Sequence, residues 1–153
     1  QLAKRGRHFR AVAIAVGSEE ERQRLRTEAI RLGCADHVII TPALDDIANA
    51  YAGFDLFCSS SAWGEGFSNV IGEALASGLP VVATDVGDAR RVIGDAGVCV
   101  APGNAAALAT ALERVMDNRQ TLSERARERV IPYSIEALAA RTARWFEEII
   151  RCR

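Results

Sequence analysis

Two glutamates, Glu65 and Glu73, bracket a short stretch, Gly66-Phe67-Ser68-Asn69-Val70, that runs from a loop into a helical pattern. Gly66 lacks a Cβ, so a ligand can come close to the backbone there. The amides of Phe67, Ser68, Asn69 and Val70 become the unpaired donors of a helix start, at its positive dipole end. That geometry suits a phosphate or diphosphate. A carboxylate beside a bound phosphate is repelled unless it faces hydroxyl donors, and an ionised Glu only accepts hydrogen bonds. Sugar hydroxyls are natural partners. One Glu per sugar ring, on either side of a diphosphate, fits a nucleotide-sugar better than a simple nucleotide.

Other chemistries lack their signatures. There is no G-x-x-x-x-G-K-[ST] loop and no G-x-G-x-x-G after the first apolar run, which disfavours a P-loop ATPase and an ordinary NAD site. Ser59, Ser60 and Ser61 have no accompanying His and Asp pattern, so a hydrolase triad is not supported. His8 and His37 read as solvated or structural.

The elements that must position this stretch follow from hydrophobic periodicity. Apolar runs at 10–16, 37–41, 55–59, 80–84 and 98–101 read as strands. Helical patterns run from a Ser18 N-cap to about Leu32, from an Asp45 or Asp46 cap to Ala52, and over 68–77 with Gly78 and Pro80 as a paired stop. Further helices are expected over 88–93, 104–118, 123–130 and 134–150. Strand and helix alternate, which implies βαβ units: a doubly wound, Rossmann-like parallel sheet of about five strands, helices on both faces. Ligands bind such sheets beyond the carboxyl ends of the strands. The loops to watch are Gly17-Ser18, Thr41-Pro42, 59–68 and 85–89. In the last, a plain turn with Asp88 as helix cap is favoured over a ligand contact. Trp63 reads as an aromatic packed in its loop or stacked on a ligand, and Leu138, Trp145, Phe146 and Ile149 as a core stripe.

Composition sets bounds. The chain has 153 residues, 49% hydrophobic and 25% charged, enough for one compact α/β domain over 1–153. A net charge of −1 gives no reason to expect nucleic acid, and the basic opening, Lys4, Arg5, Arg7, His8 and Arg10, reads as a solvated helix end. Cys34, Cys58, Cys99 and Cys152 are widely spaced without a C-x-x-C pair, which points to a reducing, cytoplasmic setting rather than a disulfide framework or a zinc site. No apolar run approaches the roughly 20 residues that span a bilayer.

The run from Ser59 through Trp63-Gly-Glu65-Gly-Phe-Ser-Asn-Val-Ile-Gly-Glu73 to Gly78-Leu-Pro-Val-Val-Ala-Thr-Asp85-Val-Gly87 resembles the E-x7-E region of GT-B glycosyltransferases of family 4. Ala13 to Gly17, Leu32 to Thr41 and Tyr51 to Phe57 also follow that family's carboxyl-terminal, nucleotide-sugar-binding domain, so the likeness covers nearly the whole chain. The resemblance implies retaining transfer of a hexose-type sugar from a UDP- or GDP-sugar to a glycan or lipid-linked acceptor. Glu65 would hold donor-sugar hydroxyls near the reacting carbon and Glu73 the ribose hydroxyls. The amides of Gly66 to Val70 would meet the sugar and diphosphate, and Thr41-Pro42 would lie against the base. No metal or other cofactor is implied, because basic side chains and the helix dipole balance the leaving diphosphate. The acceptor would be held by an amino-terminal domain outside this chain, toward which the closing helix at 134–153 would reach. Peripheral association with the inner face of the membrane is compatible with this reading.

One departure stands out. The family opens this domain with a further strand, central in the sheet, and then an Arg and a Lys that grip the diphosphate; Gln1 falls after that point. The expectation is that the chain alone binds donor weakly and transfers nothing. A nucleotide-sugar 2-epimerase and a non-catalytic sugar-nucleotide-binding subunit share the architecture and rank lower.

Overall fold

The computed structural model describes residues 1–14, 17–64 and 66–151. They form two compact units, Gln1–Ala50 and Tyr51–Arg153.

In the first unit, β1 (Ala11–Ala13) pairs in parallel with β2 (Val38–Ile40), Val12 opposite Ile39. The amide of Thr41 extends the ladder by donating to the Ala13 carbonyl at 2.9 Å. Between the strands runs α1 (Glu19–Arg31), which begins as its sequence requires. The Ser18 hydroxyl accepts from the Glu21 amide and the Glu21 carboxylate accepts from the Ser18 amide, closing a capping box. Glu19 is bonded by Arg22 and Arg26 as well, and these hydrogen bonds hold its carboxyl below the ordinary value. Burial is thin here, and Ala29 is the one buried apolar residue among those described in this unit. The first apolar run was expected to reach Val16, but Ala15 and Val16 lie outside the described residues. Asp46 rather than Asp45 caps α2 (Ile47–Ala52), accepting from the Asn49 amide at 3.0 Å.

The second unit holds β3 (Phe57–Ser59), β4 (Val81–Thr84) and β5 (Gly97–Val100), all parallel, in the order β3-β4-β5. Among the described residues the five strands are thus divided between sheets of two and three. All four residues of the central β4 are buried. Side chains alternate along a strand, and Val82 packs with Ala111 and Val115 of α5 (Ala105–Asp117). The opposite face is covered by α3 (Asn69–Ala76) and α4 (Ala89–Ile93), which contribute Ile71, Leu75, Val92 and Ile93, each about 1% exposed or less. Each fully buried aliphatic side chain contributes roughly 1.5–3 kcal/mol.

Gly97 opens β5 where the backbone of β4 is too close for any side chain. A Cβ there would overlap the Val81 carbonyl oxygen and crowd Ile93. Neither neighbour is a flexible side-chain tip, so Gly97→Ala should destabilise the domain by about 3 kcal/mol. Chemical denaturation checks this, and a loss below about 1 kcal/mol would contradict the packing described.

Two expectations from the pattern are corrected. The helix expected at 123–130 begins four residues earlier: α6 spans Arg119–Val130, because Asn118 ends α5 and opens α6 with no linker. The stripe on α7 (Ile135–Arg151) is not core within this chain: Leu138, Trp145 and Phe146 are 55%, 60% and 54% exposed, and no described residue of the helix is buried. Among the described residues no helix is long and apolar enough to cross a membrane.

Candidate functional site

The loops after β3 and β4 leave adjacent parallel strands at the same end of the sheet, the end where ligands bind in such folds. Two hydrogen bonds tie them together. The Thr84 hydroxyl, on a residue 6% exposed, donates to the Ser61 carbonyl at 2.6 Å. The Asp88 amide donates to the Gly66 carbonyl at 3.1 Å.

From this fixed loop the chain turns into α3. Ser68 takes the N-cap position with extended backbone (φ −82°, ψ 103°) and is buried, yet its hydroxyl makes no capping bond. The amides of Phe67, Ser68, Asn69 and Val70 donate to no acceptor among the described residues. Space is open where a Gly66 Cβ would project. Helix-start donors that the protein leaves unpaired beside open space can receive an anion.

The periodicity of α3 decides which side chains accompany that anion. Ile71, Ala74 and Leu75 face the core, and Gly78 (φ +82°) ends the helix. Asn69, Val70 and Glu73 are exposed, and Glu73 shares their face at i+4 and i+3. Glu73 therefore stands about 6 Å along the axis from Asn69, close enough to meet a second part of a ligand whose phosphates lie at the helix start. Its carboxylate accepts from the buried Tyr51 hydroxyl at 3.3 Å. Burial, and then the Glu73 charge, push the Tyr51 phenol up to about 12.

Phe67 leans on Tyr133, ring centroids 5.5 Å apart, and the Arg91 guanidinium lies 5.6 Å over the other ring of that pair, Tyr133. Arg129 and the Tyr133 hydroxyl both donate to the Arg91 carbonyl. The first side chain of the helix-start segment is thus braced on the turn between α6 and α7.

The structure brings Gly66, Phe67, Ser68, Asn69, Val70 and Glu73 together on one loop-and-helix segment. Glu65 lies outside the described residues. Thr41 and Pro42 belong to the first unit, just beyond β2, where the Thr41 Oγ1 is buried with no hydrogen-bond partner among the described residues. Asp88 sits at the N-cap position of α4 but does not cap it with its side chain. It holds Arg91 at 2.8 Å instead, and hydrogen bonding from Arg91 keeps its carboxyl below the ordinary value. Asp85 likewise pairs with Arg90 at 2.7 Å. Trp63, expected to pack in its loop, is 84% exposed. Sequence reasoning missed Tyr51, Thr84 and Tyr133, which act on the segment from 22, 23 and 66 residues away. The one available signal was that a buried tyrosine needs a hydrogen-bond partner.

Residues 1–118 match the family described as glycosyl transferases group 1. The chain belongs to that family. A phosphatidyl-myo-inositol mannosyltransferase of Mycobacterium leprae is 34% identical over 143 residues, covering 89% of this chain. A lipopolysaccharide core biosynthesis mannosyltransferase of Rhizobium meliloti is 32% identical over 103 residues, 65% of this chain and 29% of that protein. This group 1 chain spans 37% of the length of the Mycobacterium leprae relative and 38% of its Mycolicibacterium smegmatis counterpart. Its fold matches a glycosyltransferase of Rickettsia africae with a TM-score of 0.84 at 25% identity, over 97% of this chain and 42% of that one. The Anabaena protein HepE, in complex with UDP-glucose, matches with a TM-score of 0.69 at 25% identity, over 79% of this chain and 35% of that one. The α/β architecture is that of GT-B glycosyltransferases.

Proposed function

We propose that this chain is the donor-binding half of a retaining, family 4 glycosyltransferase that moves a hexose-type sugar from a UDP- or GDP-sugar to a glycan or lipid-linked acceptor. The observation that carries the reading is the start of α3, with four amides unpaired among the described residues beside open space and Glu73 one turn further on the same exposed face. Those amides meet the diphosphate and Glu73 accepts from the ribose hydroxyls. Glu65 accepts from hydroxyls of the transferred sugar. The names of the relatives support a hexosyl donor and a lipid or glycan acceptor, and HepE with UDP-glucose supports a nucleoside diphosphate sugar.

No metal is needed in this reading. Oriented amides and the helix dipole stabilise the charge that grows on the leaving diphosphate, while the sugar passes through an oxocarbenium-like state. The acceptor belongs to a separate amino-terminal domain, and the exposed apolar stripe of α7 is the surface that reaches toward it. The wide spacing of Cys34, Cys58, Cys99 and Cys152, with no C-x-x-C pair, supports a cytoplasmic setting.

The test is transfer by the full-length protein from UDP- and GDP-hexoses, with the product's anomeric configuration read by NMR. A product that keeps the donor's configuration is expected. Inversion, or epimerised donor without transfer, would overturn the proposal.

A further inference from the structure

An exposed glutamate on a helix samples many rotamers, and fixing it costs entropy each time a ligand binds. Glu73 is held before any ligand arrives. Tyr51 is 4% exposed, its ring lies edge-on to Phe57 with centroids 6.1 Å apart, and its hydroxyl donates to Glu73 Oε2. A tyrosine walled in this way has little freedom of its own, so its hydroxyl is a fixed point from which the carboxylate is aimed. The phenol keeps its proton at every physiological pH, because burial and the neighbouring charge push it up to about 12. It can therefore only be the donor in this pair. One carboxylate oxygen is anchored and the other keeps its lone pairs for incoming hydroxyls.

We propose that Tyr51 is a positioning residue for nucleotide recognition: it holds Glu73 in the orientation that accepts from the ribose hydroxyls of the donor. The inference rests on the proposed reading of Glu73 and goes beyond it, because Tyr51 acts through Glu73 without touching the ligand. The 3.3 Å separation is longer than the usual O–H···O range of roughly 2.5–3.0 Å, so the contact biases the carboxylate toward one orientation rather than locking it there.

The experiment uses the full-length enzyme as wild type, Tyr51→Phe, Glu73→Gln and the double variant. Donor kinetics are measured together with calorimetric binding of UDP or GDP, whichever the wild type takes, and of its 2′-deoxy counterpart. Tyr51→Phe keeps the buried ring and loses only the hydroxyl. It should raise donor KM about fivefold to tenfold with kcat changed less than about twofold. It should also shrink the preference for ribose over 2′-deoxyribose by a similar factor. Glu73→Gln should remove most of that preference, and the double variant should be no worse than Glu73→Gln. The preference is a ratio measured on one preparation, so partial unfolding of a variant cancels from it.

Equal loss of affinity for both nucleotides in Tyr51→Phe, or losses that add to those of Glu73→Gln, would make Tyr51 merely structural and overturn the inference while leaving the site reading intact. An unchanged ribose preference in Glu73→Gln would overturn the site reading itself, and the role of Tyr51 with it.

Discussion

Replacing Glu73 with alanine in the full-length protein should raise the donor KM by about 10- to 100-fold and leave kcat within a few-fold of wild type. Hydrogen bonds to an ionised group contribute about 1.5–3 kcal/mol each, and every 1.4 kcal/mol is tenfold in affinity. The ribose hydroxyls are the same in the ground and transition states, so the loss falls on uniform binding and appears in KM. The helix itself is not weakened. Its buried face is Ile71, Ala74 and Leu75, and alanine is the better helix former at an exposed position. The one structural cost falls on Tyr51, whose buried hydroxyl loses its acceptor. A fall in Tm of about 2–4 °C per kcal/mol lost is expected from that, and Glu73→Gln, which keeps an acceptor, should show less of it. Steady-state kinetics with varied donor, alongside thermal melts, separate the two effects. A kcat collapse with unchanged KM would contradict the ribose assignment.

Glu65→Ala is expected to give the reverse pattern. If Glu65 faces the sugar near the reacting carbon, its charge matters most when the anomeric centre becomes positive, and kcat falls by about 100- to 1000-fold. Donor KM changes far less, because the diphosphate and ribose contacts remain. Single-turnover measurement at saturating donor and acceptor isolates this step. A variant with wild-type turnover would remove Glu65 from the chemistry. The paired result, KM for one glutamate and kcat for the other, would be hard to obtain from two solvated surface charges.

Much of the local structure around the start of α3 was legible because its signals are local. Glycine and proline after Ser77 stop α3 where the pattern says they should, and Ser68 opens it. The acids after Ser18 make the capping box of α1 that their spacing implies. The alternation of apolar runs with amphipathic helices was enough for a parallel α/β fold. What escaped the sequence is set by pairs distant along the chain. Nothing near Tyr51 announces Glu73, nothing near Thr84 announces Ser61, and the brace of Phe67 on Tyr133 joins residues from opposite ends of the second unit. Asp88 shows a subtler failure. The residue type and position suited a cap, but Arg91 three residues on, with a charge to offer, outcompeted the backbone amides. In α7 the period was read correctly and the conclusion was not, since periodicity shows that a stripe exists and says nothing about what covers it.

The most direct test of the account is calorimetric titration of the full-length protein, as wild type and as Glu73→Ala, with UDP and with GDP. One of the two nucleoside diphosphates should bind the wild type one-to-one, and Glu73→Ala should weaken it by at least about tenfold. Binding of neither nucleotide, or equal affinity in Glu73→Ala, would contradict the claim that the start of α3 and Glu73 form the handle for the donor nucleotide.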